Sequence, residues 1–236
     1  MKNLVGATLL AVAVAASGWF VGHGFERGHN PRHVTVKGVS ERDVKADLAL
    51  WPLRFVQAGD ELGQVQAAIQ KDDATVSAFL ARHGIDDGQV AFRDLEVTDR
   101  AAQSWASDNY PSRYIISRTV MVRTDAVDTV YQATQATGEL VDAGVVLDTQ
   151  DNNKPAYLYN GLNELKPAMI AEATRNAREA ADQFAHDSGA RLGGIVTANQ
   201  GVFQILARDK APMLQEERQI AKTVRVVATI DYALED

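Results

Sequence analysis

Five histidines, one run of Asp and Asn residues and a few carboxylate groups are the side chains of this 236-residue chain with the types and spacing for chemistry. A metal centre would want its histidines on one rigid face with supporting hydrogen bonds. His23, His29 and His33 instead share the segment HGFERGHNPRH with Gly24, Gly28 and Pro31, which reads as a solvated linker. His83 and His186 fall in the last turns of predicted helices, where a protonatable ring complements the helix dipole. The stretch DTQDNNKP offers Asp148, Asp151, Asn152 and Asn153 to a hard cation. A calcium loop of the EF-hand type would need glycine where Asn153 stands and glutamate where Tyr159 stands, so an Asx turn is the better reading.

Asp94, Glu96 and Asp99 between Arg93 and Arg100, and the pair Glu216 and Glu217, supply carboxylates for acid–base work. Such pairs occur on any wet strand face and do not define a cleft by themselves. The patterns G-x-S-x-G, H-E-x-x-H and G-x-x-x-x-G-K-[ST] are absent from the sequence, and with no cysteine there is no thiol nucleophile, disulfide or iron–sulfur ligand. The reading is therefore not an enzyme, with no catalytic residue, no cofactor and no metal ligand set. The residues that stand out are apolar: Trp105 and Tyr110 in the polar loop TDRAAQSWASDNYPS, and Trp51, Leu53 and Phe55, where the alternation shifts past Pro52. Aromatic anchors in a polar setting suit a protein interface. The shift at Pro52 predicts a bend or an edge, with a docking face after Trp51.

The elements that would position these groups follow from periodicity. VTVKGVSERDVKADLALWPLRF reads as a hairpin turning around Gly38–Arg42, with Lys37, Lys45 and Asp47 outward and Val34, Val36, Ala46 and Leu48 inward. Leu62, Val65, Ile69, Val76 and Leu80 then recur at helical spacing up to Gly84. QVAFRDLEV and RYIISRTVMVR form a second hairpin; a helix capped by Thr124 or Asp125 carries Val127, Val130, Tyr131, Thr134 and Val141 on one face. A short Tyr-Leu-Tyr strand precedes the longest helix, which Pro167 should open from within the first turn. Its face of Ile170, Ala173, Ala177, Ala180 or Ala181, and Phe184 is small enough for close packing. GGIVTANQGVFQIL and KTVRVVATIDYAL close the chain as strands around the charged excursion ARDKAPMLQEERQIA. The fold class is α+β: a mixed, largely antiparallel sheet with helices on one side, built from duplicated helix-on-sheet units and preceded by an N-terminal transmembrane helix.

That transmembrane expectation rests on LVGATLLAVAVAASGWFVG, uncharged from Asn3 to Phe25 and close to the ~20 residues a bilayer requires. Small-x-small sites at Ala11–Ala13 and Ala13–Ala15 also allow a cleaved signal. Cleavage would expose Gly18–Val21, whereas Trp19 and Phe20 suit a membrane-interface belt, which favours an uncleaved anchor. The expected organisation is an anchor over 1–23, a tether over 24–33 and one domain over 34–236. The net charge of −7, without a basic block, argues against nucleic acid as a partner.

Four stretches, VTVKGVSERDVKADLALWPLRF, GLNELKPAMIAEATRNAREAADQFAHDSG, LGGIVTANQGVFQI and KTVRVVATIDYAL, together resemble the SIMPL-domain family of bacterial envelope proteins, which includes periplasmic immunogenic proteins. The resemblance implies an exported protein and, in some members, a link to envelope or oxidative stress; with the N-terminal anchor the expectation is an inner-membrane, single-pass protein with its C-terminal domain in the periplasm, or, if the signal is cleaved, a protein secreted to the periplasm. It also implies self-assembly as a homo-oligomer and brings no agreed catalytic residues; an envelope protein partner is left unidentified, and the alternative reading, from the Asx-rich turn at Asp148–Asn153 and the polar loops, is a periplasmic ligand-binding or hydrolytic domain.

Overall fold

The computed structural model describes residues 17–19, 32–102, 111–148, 153–212 and 214–236. Eight strands are β1 (His33–Lys45), β2 (Leu48–Gly59), β3 (Val90–Asp99), β4 (Tyr114–Thr124), β5 (Ala156–Leu158), β6 (Arg191–Gln200), β7 (Gln204–Ala207) and β8 (Ala221–Glu235). The helices are α1 (Leu62–Arg82), α2 (Val127–Gln135), α3 (Gly138–Asp142) and α4 (Leu162–Asp187). The α+β class holds, but the strands form two sheets rather than one, ordered β3-β4-β2-β5 and β1-β8-β6, with β7 also beside β8. The chain divides into two compact units: one from residues up to Ser40, Pro167–Phe203 and Val226–Asp236, the other from Glu41–Lys166 and Gln204–Arg225.

In the second unit β2 pairs along its length with β4, and β3 pairs with β4, both antiparallel. Ala49, Trp51, Leu53 and Phe55 alternate along one face of β2 and are all buried. Opposite them lie Val65, Ile69, Val76, Phe79 and Leu80 of α1, with Val127, Val130, Ala133 and Leu140 of α2 and α3, in one apolar cluster. Gly84 (φ 78°) ends the turn after α1 as expected. The next helix does not run through: it stops after Gln135 and restarts at Gly138. The restart changes the phase, so Ala133 and Leu140 are buried while Tyr131 and Val141, expected inward, are about half exposed.

The first unit is built differently. Val224, Val226, Ala228, Ile230 and Tyr232 alternate inward along β8, as its sequence predicts, and those from Val226 onward belong to this unit. Met169, Ala173, Ala177, Ala181 and Ala185 form the buried stripe of α4; Phe184, expected on that stripe, is 60% exposed. Pro167 lies inside α4 and not in its first turn, since the helix begins at Leu162. Only the hydrogen bond to the carbonyl of Asn163, near the helix start, is forgone. The start itself is held in the second unit, where the Asp47 carboxylate accepts from the backbone N–H of Asn160 and Gly161, both at 2.9 Å. Asp47, read from sequence as an outward strand residue, is an anchor for that turn.

The opening hairpin is also corrected. β1 and β2 belong to different sheets, and the chain turns at Ala46–Asp47, not at Gly38–Arg42. Gly38 is required for another reason: a Cβ there would stand 1.8 Å from the Ala173 carbonyl oxygen and 2.5 Å from the Ala177 nitrogen. Helix backbone and strand backbone meet at this point, and any side chain would force them apart. Gly38→Ala should therefore destabilise the protein by about 2–3 kcal/mol in urea unfolding. Gly63→Ala, in α1 with open space around it, should instead be neutral or stabilising by about 0.5–1 kcal/mol.

Candidate interaction surface

The residues singled out by sequence are placed by the structure only in part, and those described are spread over the fold. Trp51, Leu53 and Phe55 are at most 1% exposed, so the supposed docking face after Trp51 is the core of the second unit. Val36 and Ala46 are buried as expected, but on β2 the inward phase begins at Ala49 and not at Leu48, so Trp51, Leu53 and Phe55 continue the inward face without any shift at Pro52. Pro52 itself sits where β2 keeps β4 on one side and has just lost β5, whose pairing covers only Leu48–Leu50. Trp105 and Tyr110 lie outside the described residues, as do His23, His29, Asp151 and Asn152 and most of the N-terminal apolar run. No helix among the described residues is long and apolar enough to cross a membrane.

The polar groups that are described serve the fold. Asn153 acts as a surrogate strand: its Oδ1 accepts from Arg54 N–H at 2.6 Å and its Nδ2 donates to the Arg54 carbonyl at 2.9 Å. Its backbone carbonyl accepts from Trp51 Nε1 at 3.0 Å. Asp148 pairs with Arg54 Nε at 3.2 Å, Glu96 with the same guanidinium at 2.9 Å, and Asp99 with Arg113 at 3.1 Å. Arg113 holds Asp99 below the usual carboxylate range, and Arg82 does the same for Glu139, which also meets His83 at 3.4 Å. Among the described residues no group of three His, Asp or Glu is placed to hold a metal ion. An open cleft of about 610 Å³ is walled by Leu53, Val141, Val145, Val146 and Leu147, with Asp148 and Asn153 at its rim. Sequence reading missed Lys222, which is fully buried and bound through Nζ to the Glu216 carbonyl at 2.8 Å and to the Glu216 carboxylate. Its position on the inward register of β8 was the available signal. The pair fastens the charged excursion to the strand, where an unpaired buried ammonium would be prohibitive.

The surface without such fittings is in the first unit. There α4 is tied to the β1 side: beyond the Gly38 contact, Ser40 Oγ donates to Glu172 at 2.9 Å and Asn176 Nδ2 donates to the Val39 carbonyl at 2.8 Å. So anchored, the helix covers the inward residues of β8 but not β6, where nearly every residue is exposed. Ile195, Val196 and Val202 are 55%, 51% and 79% exposed. Beside this strand a groove of about 210 Å³ is lined by Ile170, Thr174, Ala198, Gln200, Ala228 and Ile230. The edge strand β3 and the open side of β2 differ. β3 carries Arg93, Asp94, Glu96 and Asp99, and the open side of β2 is closed by Asn153 and by the hydrogen bond from Val56 N–H to the Val146 carbonyl at 3.0 Å. From Leu192 to Ala207 no side chain is charged. An edge strand uncharged from Leu192 onward and exposed among the described residues is an open template for strand addition.

On the outer face of the same sheet Asp231 of β8 ties its neighbours together. It accepts from Thr35 of β1 at 2.6 Å and from Thr197 of β6. The Thr197 hydroxyl, and after it that of Thr35, holds the Asp231 carboxyl below its ordinary range. A depressed native value stabilises the fold above the unfolded carboxylate pKa of about 3.9, and the effect is lost as pH falls through the native value. Urea unfolding of Asp231→Asn should show a deficit against the parent chain at pH 7 that shrinks as the pH drops below about 4; a deficit that stays constant with pH would contradict the assignment.

Residues 34–232 match the model of a family described as SIMPL, protein of unknown function (DUF541). No curated protein matches the chain. With the match running from the first strand to within the last, the chain belongs to the SIMPL family.

Proposed function

We propose that this chain is a non-catalytic assembly module of the bacterial cell envelope. In this reading the N-terminal apolar run anchors it in the inner membrane, and the SIMPL domain stands in the periplasm and binds protein chains, copies of itself first. A part in envelope or oxidative stress rests on the family resemblance. The observation that carries the assembly reading is β6, an edge strand that is uncharged from Leu192 onward and exposed along nearly its whole length among the described residues. Main-chain pairing at such an edge supplies affinity, and alternate side chains supply selectivity.

A second reading, a ligand-binding domain, is favoured by the cleft of about 610 Å³ beside Leu53 and Val145. Its apolar walls would suit a small apolar molecule. A metabolite panel that raises the thermal midpoint would favour this reading.

For the assembly reading, full-length protein extracted in mild detergent is expected to give a defined oligomer by light scattering, with a mass that follows concentration reversibly. A strict monomer at every concentration would overturn it. Mass spectrometry of the N-terminus in the same sample should return the intact apolar run; a chain beginning after Ala13 or Ala15 would replace the anchor with a cleaved signal.

A further inference from the structure

We infer that the partner at the open edge of β6 is a second copy of this chain, added antiparallel about a two-fold axis through Ala198. The inference rests on the assembly reading and gives it a surface and a register. Gly201 N–H donates to the Val227 carbonyl at 2.9 Å. By strand alternation Asn199 and Thr197 turn their backbone groups the same way, toward Thr229 and Asp231 of β8. The N–H and C=O groups of Ala198 and Gln200 are therefore left on the open side. A copy rotated about Ala198 presents the same groups in reverse order, so Ala198 exchanges two hydrogen bonds with its own equivalent.

Three observations favour a copy over a foreign chain. The molecule carries a net charge of −7, yet Leu192–Ala207 is uncharged, so two copies approach with least repulsion here. The residue at the axis is alanine, which leaves room for two strands to close. The regular part of the strand is also short: the pairing with β8 shifts register between Leu192 and Ile195 and again before Thr197. Gly201, whose Cβ would meet the Val227 oxygen at 2.7 Å, ends it. A segment this short gives little main-chain affinity to a generic extended peptide. A copy adds its own Ile195, Val196 and Val202 to the contact, covering apolar surface on both sides at once.

The chain has no cysteine, so single substitutions report cleanly. Full-length Ala198→Cys, in mild detergent with a mild oxidant or a short bis-maleimide, should give a covalent dimer, and Leu95→Cys on the charged β3 edge should not. Ala198→Pro keeps the pairing with β8, because the lost N–H points outward. It should weaken association by about 30-fold or more, two hydrogen bonds per dimer. Val196→Lys should weaken it similarly while circular dichroism is unchanged, and it decides the matter if the proline variant fails to fold. If the parent chain assembles and both variants assemble with parental affinity, the β6 pairing is wrong and the assembly reading stands. If the parent chain is monomeric throughout, both fall together.

Discussion

The contact between Gly38 of β1 and the backbone of α4 at Ala173 and Ala177 is the constraint on which the first unit depends. Two backbones can approach this closely only if the strand has no Cβ and the helix shows nothing larger than alanine. That requirement explains the buried alanines recurring every four residues from Ala173 to Ala185. It also limits what the unit can gain from apolar burial, since alanine removes little surface from water. Polar ties make up the difference: Ser40 to Glu172, Asn176 to Val39, and the Thr35–Asp231–Thr197 bridge across three strands.

A helix held on the β1 side of a sheet of this width leaves the far strand uncovered. The exposure of β6 is thus a consequence of where α4 is fixed, not an independent feature. The second unit shows the opposite arrangement. Large side chains, Trp51, Phe55, Phe79 and Ile69, fill the space between sheet and helices, the β3 edge is charged, and the open side of β2 is closed at Val56. One unit has the character of a conventional core; the other leaves β6, along one edge of its sheet, exposed.

Much of this was legible in the sequence. The alternation of β8, the hairpin of β3 and β4, the helix ending at Gly84 and the small-residue face of the long helix all follow from period and capping chemistry. The failures share a physical cause: a glycine or a phase shift has several meanings, and only tertiary contacts select one. Gly38 looked like a turn and is a close approach. The apolar run Trp51–Phe55 looked like a surface and is a core, because the register restarts at Ala46–Asp47. Asp47 and Asn153 looked like solvated residues, yet each replaces backbone hydrogen-bond partners for another segment. Their partners are about a hundred residues away, beyond any local pattern. The open edge of β6 was not visible either, since edge and centre are properties of strand order. The absence of charge from Leu192 to Ala207 was the one trace of it in the sequence.

Amide hydrogen exchange on the full-length protein, followed at Ala198 and Gln200 across a dilution series, tests the central claim most directly. The account predicts that these two amides are protected at high concentration and lose protection on dilution, while Thr197 and Asn199, bonded within the sheet, stay protected throughout. Fast exchange at Ala198 and Gln200 in a sample that light scattering shows to be fully assembled would contradict it.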